Sequence, residues 1–309
     1  GDANSKFGNA NRWGIFPSIS FGWRFNKERF LQSANFLSDS KFRLSWGQTG
    51  KTPNKPYARF GLYQTLDQYM YENVIIPEQV TLEDLRWETV TSWNGGLDLN
   101  MLSNRLYITA DVYLKTTTDL LWPSYEIPSS SGFDKLTFYN GGKLENRGWE
   151  FLIRGEIIKR NDFSTSLNFN ISQNINQFLA FPENFNPERN TSIENGEYPV
   201  RAEIGKPIGS FYGFNYLGVY PNDESVVARD PDRNVLVDAN GNPLPVYYQE
   251  SYEFKGGDAI YEDVNHDGRI DLFDVVYLGD SSPEFIGGFG TSMRYKNLSA
   301  DIHFNYRLG

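Results

Sequence analysis

Apolar and polar residues alternate with a period of two along several segments of the chain. In residues 106–114, every second position is apolar, from Leu106 to Leu114, while the intervening positions include Thr109 and Asp111. A period of two is typical of β-strands with one apolar and one polar face. The chain is therefore predicted to be all-β, with strands at about residues 14–24, 41–47, 92–100, 106–114, 148–157, 163–171, 286–296 and 298–306.

The connections between these predicted strands alternate between short and long. The long ones span about residues 48–91, 116–147 and 173–285. A β-sandwich also produces alternating strands, but in an up-and-down meander every second connection lies at the same rim. Long loops at one rim and short turns at the other are typical of outer-membrane barrels. We therefore predict a transmembrane antiparallel up-and-down β-barrel in which the long segments are extracellular loops.

A barrel wall of this kind also predicts which side chains face lipid and which face the lumen. The apolar residues predicted to face lipid are Leu106, Ile108, Val112, Phe163, Leu167, Phe169, Ile302 and Phe304. The polar residues predicted to face the lumen are Thr109, Asp111, Ser166, Asn168, Asp301 and His303. This assignment follows from the alternation of side chains along each strand.

Composition excludes several other classes of protein. Aromatic residues make up 16% of the 309 residues, and the hydrophobic share is only 39%. No run approaches the roughly 18 apolar residues of a membrane-spanning helix. The net charge of −10 and the lack of a Lys/Arg block argue against nucleic acid as a partner. The absence of cysteine removes disulfides, thiolate metal sites and cysteine nucleophiles.

One segment, DVNHDGRIDLFD at residues 263–274, has the spacing of a calcium-binding loop. Oxygen-bearing side chains recur at the loop positions that bind a hard cation, and a glycine occupies the position of the sharp turn. The predicted ligands of a structural Ca²⁺ are Asp263, Asn265, Asp267, Asp271 and Asp274, with the main-chain carbonyl of Arg269. The alternative is a metal-free turn in which these side chains cap their own backbone.

Two groups of carboxylates flank tryptophan residues. They are Glu83, Asp84 and Glu88 around Trp87, and Glu145 and Glu150 around Trp149. Two carboxyl groups about 5–9.5 Å apart could cleave a glycoside, but spacing in sequence does not fix their separation in space. Solvated or lumen-facing carboxylates are the simpler interpretation. No serine-nucleophile or phosphate-binding motif is present either, so we predict no catalytic residue and no enzyme.

Six blocks of sequence carry a family resemblance, in this order along the chain: NRWGIFPSISFGWRF, FRLSWGQTG, LEDLRWETVTSWNGGLDLNMLSNRLYITADVYLKTTTDLLW, NGGKLENRGWEFLIRG, GKPIGSFYGF and DAIYEDVNHDGRIDLFDVVYLGDSSPEFIGGFG. They resemble successive blocks of the SusC-like (SusC/RagA) TonB-dependent outer-membrane transporters of the Bacteroidetes. The resemblance implies a 22-stranded barrel with a plugged lumen. Residues 1–309 are then expected to be an internal piece of the C-terminal half of one barrel domain, with the plug and the TonB box outside this sequence.

The resemblance also implies a function, a location and partners. A SusC-like transporter of the outer membrane imports oligosaccharides, or other oligomers such as peptides. A SusD-like surface lipoprotein is the expected partner at the extracellular loops, and TonB–ExbB–ExbD is expected to supply energy through the plug. The alternative is a secreted, calcium-stabilised β-rich adhesin or glycan-binding protein, and a glycosidase is a weaker one. The substrate cannot be read from this sequence.

Overall fold

The computed structural model describes residues 1–31, 33–34, 36–69, 72–127, 129–133, 135–183, 202–249 and 252–309. These residues form β-strands joined by turns and short 3-10 helices. None of the described helices is long and apolar enough to cross a membrane. The chain divides into two compact units: residues 1–185 together with 282–309 form the first, and residues 186–281 form the second.

The described strands are numbered in chain order. Up to residue 180 they are β1 (Asp2–Ala3), β2 (Trp13–Gly14), β3 (Ser18–Trp23), β4 (Leu37–Lys51), β5 (Leu62–Tyr69), β6 (Glu72–Gln79), β7 (Glu88–Met101), β8 (Leu106–Thr118), β9 (Leu121–Glu126), β10 (Lys135–Asn140), β11 (Lys143–Lys159) and β12 (Phe163–Ala180). The later strands are β13 (Ser210–Phe214), β14 (Tyr216–Val219), β15 (Tyr247–Tyr248), β16 (Tyr252–Glu253), β17 (Ala259–Tyr261), β18 (Arg269–Ile270), β19 (Val275–Asp280), β20 (Phe285–Tyr295) and β21 (Leu298–Leu308). The short 3-10 helices are Asn9–Asn11, Phe25–Lys27, Arg29–Leu31, Ser129–Ser131, Asp223–Ser225 and Leu272–Asp274.

An eight-stranded sheet dominates the first unit. Its strand order is β3–β4–β7–β8–β11–β12–β20–β21, which is also the order of these strands along the chain. Every neighbouring pair is antiparallel. The sheet is therefore an up-and-down meander, and the prediction of an all-β antiparallel fold is confirmed.

A strand lies at each predicted position, but several strands are longer than the alternation pattern indicates. The pattern limits one strand to residues 163–171, for example, whereas β12 continues to Ala180. The added part, 172–180, carries polar residues on both faces, so it lacks the apolar alternation by which strands are recognised. The predicted strand at 14–24 is instead interrupted before β3, because Pro17 has no amide hydrogen to donate to a ladder.

Short hairpins occupy parts of two segments that the sequence predicts to be loops. Strands β5 and β6 pair within residues 48–91, and β9 and β10 pair within 116–147. A small apolar core accompanies them, formed by the buried residues Phe7, Ala58, Leu85 and Phe138. These connections are consequently folded structures with their own packing.

The strand registers place apolar residues on one face across the sheet. Directly opposed residues form a row across six strands, which consists of Leu99, Ile108, Ile153, Phe169, Phe289 and Phe304. This face also holds the other residues predicted to face lipid, and its side chains are open to the surroundings: Val112 is 60% exposed and Phe304 is 55% exposed. Residues predicted to face the lumen, such as Asp111 and Asn168, lie on the opposite face. Such a large exposed apolar surface fits contact with lipid.

Two tyrosines reach across a glycine on the neighbouring strand to bond with the strand beyond it. Tyr113 of β8 passes over Gly148 of β11, and its hydroxyl donates to Asn174 Oδ1 of β12 at 2.9 Å. A Cβ added at Gly148 would lie only 2.6 Å from the Tyr113 hydroxyl oxygen. On the other side of β12, Tyr306 crosses Gly287 in the same way and donates to the Asn170 carbonyl at 3.0 Å. Strand β12 is therefore held from both sides.

The second unit has a hydrophobic core of its own. The core consists of the buried residues Tyr220, Val226, Ala228, Val246, Phe254 and Ile270. Strands β13 and β19 are antiparallel partners, with Ser210 opposite Asp280 and Phe214 opposite Val275. The pairing brings the beginning and the end of the described part of this unit together, so that the residues between them form a compact insertion in the chain.

Candidate functional site

The polar face of the sheet carries a charged cluster on three neighbouring strands. Arg43 of β4 donates to Asp98 of β7 through Nε (2.8 Å to Oδ2) and Nη2 (3.0 Å to Oδ1). The same Nη2 lies 2.9 Å from Asp111 Oδ1 of β8. Gly96 leaves room for this crossing, because a Cβ there would lie 2.6 Å from Arg43 Cζ. The Arg43 guanidinium group thus bonds to two carboxylates, and the cluster links strands β4, β7 and β8.

Amide and hydroxyl groups cover much of the remaining polar face. Asn176 Nδ2 donates to Asn146 Oδ1 at 2.7 Å. A groove of about 370 Å³ crosses strands β3, β4 and β7 and is lined by polar residues that include Ser45, Ser92 and Asn94. These uncharged groups both donate and accept hydrogen bonds. They can therefore hydrogen-bond with water or with a polar solute.

One carboxylate of each tryptophan group, Glu88 or Glu145, is engaged in structural contacts, whereas Glu83, Asp84 and Glu150 are exposed. The side chain of Glu88 is only 8% exposed, and its oxygens accept hydrogen bonds from the Leu121 amide at 3.0 Å and from Lys51 Nζ at 3.3 Å. Glu145 accepts a hydrogen bond from Gln177 Nε2 at 2.9 Å. Glu88 and Glu145 therefore join separate segments of the chain.

The predicted calcium-binding segment forms a tight turn in the second unit. Asp263 accepts hydrogen bonds from the amides of Asp267 (3.2 Å) and Gly268 (2.8 Å). Asn265 Nδ2 donates to Asp267 Oδ2 at 3.0 Å, so the first three predicted side-chain ligands are brought together. Gly268 has a φ of +80°, the left-handed conformation that glycine adopts without strain.

The last two predicted side-chain ligands close the end of this turn. Asp274 is fully buried, and its two oxygens accept hydrogen bonds at 2.8 Å from the amides of Val264 and Asp271. Asp271 in turn accepts a hydrogen bond from the Phe273 amide. Burial raises the pKa of Asp274, and the charges of Asp263 and Asp271 also raise it, against the effect of the two amides.

Self-capping of this kind is what the metal-free alternative predicts. The Arg269 amide donates to Asp267 Oδ1 at 2.8 Å, which continues the same pattern. Among the described residues, no group of three or more His, Cys, Asp or Glu side chains is arranged to hold a metal ion. Each capped carboxylate oxygen nevertheless keeps a second lone pair, so Ca²⁺ binding at this turn stays a prediction.

The family model described as TonB dependent receptor-like, beta-barrel matches residues 1–254. The chain belongs to this family. As a TonB-dependent receptor β-barrel, it is a protein of the outer membrane, and its eight-stranded sheet is a part of a larger transmembrane barrel.

Curated relatives of the receptor point to its SusC-like branch. TonB-dependent receptor P39 of Formosa agariphila is 34% identical over 325 residues, which cover all of this chain and 30% of the relative. SusC of Bacteroides thetaiotaomicron is 32% identical over 320 residues, covering 99% of this chain and 28% of the relative. The receptor chain thus spans less than a third of the length of these relatives, and the resemblance to SusC-like transporters is confirmed.

Solved structures support the fold. The receptor aligns with the RagAB peptide transporter at a TM-score of 0.74 and 24% identity, and the alignment covers 99% of this chain and 30% of the other. The same transporter in its open-open state aligns equally well. An outer-membrane barrel accounts for the exposed apolar face, which a secreted adhesin would leave in water.

Sequence reasoning did not single out the Arg43 cluster. The sequence did contain a signal for it. Three successive predicted strands each place a charged residue at a polar-face position: Arg43, Asp98 and Asp111. Recognising the cluster required the register that sets these residues side by side.

Proposed function

We propose that the full receptor imports oligomeric nutrients, either oligosaccharides or peptides, through the outer membrane. The observation that carries this proposal is the two-faced sheet, apolar on one face and polar on the other. A wall of this kind separates lipid from a polar passage. The resemblance of the sequence blocks to SusC-like transporters implies oligosaccharide or other oligomeric cargo, and the likeness to a structure titled as a peptide transporter supports peptides.

The proposed transport involves partners and no covalent change to the cargo. A SusD-like lipoprotein would act at the extracellular side, and TonB–ExbB–ExbD would supply energy. Two of the carboxylates that could have suggested hydrolysis, Glu88 and Glu145, instead bond to Lys51, Leu121 and Gln177. An enzyme is therefore not part of the proposal, and the long connections are proposed to be the extracellular loops.

Uptake by cells provides the test of the proposed function. Cells that depend on the full receptor are supplied with labelled oligosaccharide mixtures or labelled peptide mixtures. We expect uptake of one class, and we expect uptake to fall to background when the receptor or TonB is deleted. The import function would be contradicted if cells with and without the receptor took up the same amount of each class of cargo. The proposed energy source would be contradicted if uptake persisted after deletion of TonB.

We also propose that Ca²⁺ binds the turn at residues 263–274 and stabilises it. The support is the spacing of its oxygen side chains and the convergence of Asp263, Asn265 and Asp267 in space. Neighbouring carboxylates repel one another, and a cation placed between them removes that repulsion. The ion would have a structural role.

Calcium is expected to protect this turn from proteolysis in the full receptor. An ion at 100 times its Kd stabilises the form that binds it by about 2.7 kcal/mol. Cleavage within residues 263–274 should therefore be slower in calcium than in EGTA, and Asp267→Ala should remove the difference. Asp238→Ala is the matched control, since Asp238 caps a separate turn at Asn242. The same cleavage rate in calcium and in EGTA would favour the metal-free turn.

A further inference from the structure

Two arginines from distant parts of the sequence meet at one amide oxygen in the first unit. Arg12 Nη2 donates to Asn9 Oδ1 at 3.0 Å, and Arg59 Nη1 donates to the same oxygen at 3.5 Å. Both side chains are half-buried, and Arg59 also lies over the ring of Phe60, with Cζ 4.3 Å from the ring centroid. The two guanidinium groups are consequently close neighbours.

The backbone around these arginines is held in place by contacts between three segments. The Asn4 amide donates to the Arg12 carbonyl at 3.0 Å, and the Leu82 amide donates to the Arg59 carbonyl at 2.8 Å. Gly8 packs against the carbonyl of Glu83 so closely that an added Cβ would lie 1.9 Å away. The positions of both arginines are therefore set by the fold.

The pair lacks a negative countercharge in the described part of the chain. Neither arginine has a carboxylate oxygen within 4 Å there, in contrast to Arg43 and Arg86. Glu83 on an adjacent segment is exposed, and no ion pair joins it to either arginine. The Nε atoms of both arginines are buried and have no hydrogen-bond partner among the described residues. Two like charges close together and two buried donors without acceptors are both destabilising.

We propose that Arg12 and Arg59 form a binding site for a phosphate or sulfate group. A guanidinium group recognises such oxyanions through two parallel hydrogen bonds. A tetrahedral anion has acceptor oxygens that point in several directions, so it can bond to two guanidinium groups that approach from different sides. A carboxylate has only two oxygens, which lie in one plane, so it matches guanidinium groups that approach from different sides less well. The charge of a phosphate group also matches that of the pair.

The site is tested by equilibrium dialysis of the full receptor in detergent against radiolabelled inorganic phosphate at constant ionic strength. We expect saturable binding. Arg12→Gln or Arg59→Gln should each weaken it by about tenfold, the value of one charge-assisted hydrogen bond. Arg160→Gln removes the same charge from an exposed position in the short connection after β11 and should leave binding unchanged.

Asn9→Asp is the decisive variant, because it keeps both arginines and adds the missing negative charge between them. It should abolish phosphate binding while the receptor folds normally. The proposal is overturned if the wild-type receptor shows no saturable binding, or if Asn9→Asp and both arginine variants bind phosphate as Arg160→Gln does.

A second arm of the experiment identifies the source of the phosphate group. The receptor is placed in vesicles of a phosphate-free glycolipid, with or without added phosphorylated lipid. If a lipid headgroup is the ligand, the phosphorylated lipid should suppress binding of free phosphate. If the ligand is a solute, binding should be the same in both vesicles. Either result supports the site, and an absence of saturable binding in both vesicles would oppose it.

Discussion

Replacing Phe169 with arginine in the full receptor is expected to destabilise the barrel by about 2–4 kcal/mol. Phe169 belongs to the apolar row that crosses six strands, between Ile153 and Phe289. An arginine there would have to place its charge in the hydrocarbon of the bilayer. Urea unfolding of the receptor in lipid vesicles measures the loss.

Ser166→Arg on the same strand is the matched control. Ser166 lies on the polar face, directly opposite Glu156 of β11, which offers a negative partner. Its substitution should cost less than about 1 kcal/mol, as is usual for changes at polar surface positions. If Ser166→Arg destabilised the barrel more than Phe169→Arg did, the assignment of the two faces would be reversed.

Removal of most of the second unit is expected to abolish uptake and leave the barrel assembled. Phe214 of β13 and Val275 of β19 are directly opposed, so a two-residue Asn-Gly turn can replace residues 215–274 and close a hairpin. Barrel assembly should persist because the removed residues have a separate hydrophobic core. Uptake should be lost because long loops on a rigid scaffold usually carry the binding residues.

Two measurements on this deletion variant separate binding from assembly. Resistance of the receptor to unfolding by detergent at low temperature reports the assembled barrel, and uptake of labelled cargo reports transport. Normal uptake by an assembled variant would show that the second unit is dispensable for recognition. An unassembled variant would show that this unit is part of the barrel's folding unit.

The arrangement of the sheet could be predicted because lipid imposes a strict pattern on the sequence. Each strand must present apolar side chains to the lipid, so apolar residues at every second position, such as Ile108 and Val112, identify the lipid-facing side of the strand. Strand ends were harder to predict, since polar and apolar residues are mixed on both faces of β12 in 172–180 and the alternation disappears. Hydrogen bonding continues there without a hydrophobic pattern to reveal it.

The second unit and the arginine pair could not be predicted for a different reason. The strands of that unit are mostly two to six residues long, which is too short for a period to be recognised. Its core depends on aromatic contacts between distant residues, such as Tyr220 and Phe254, whose rings are 6.1 Å apart. Arg12 and Arg59 are likewise brought together only by the folded chain.

The tyrosine that crosses Gly148 has a consequence for the fidelity of strand pairing. A shift of β11 by one residue would turn its apolar residues away from lipid, and the bilayer opposes that error. A shift by two residues keeps every side chain on its proper face, so hydrophobicity does not oppose it. It would, however, place Asn146 or Glu150 beneath Tyr113, and their side chains would block the path to Asn174. Gly148 therefore selects the correct register among those that the membrane accepts.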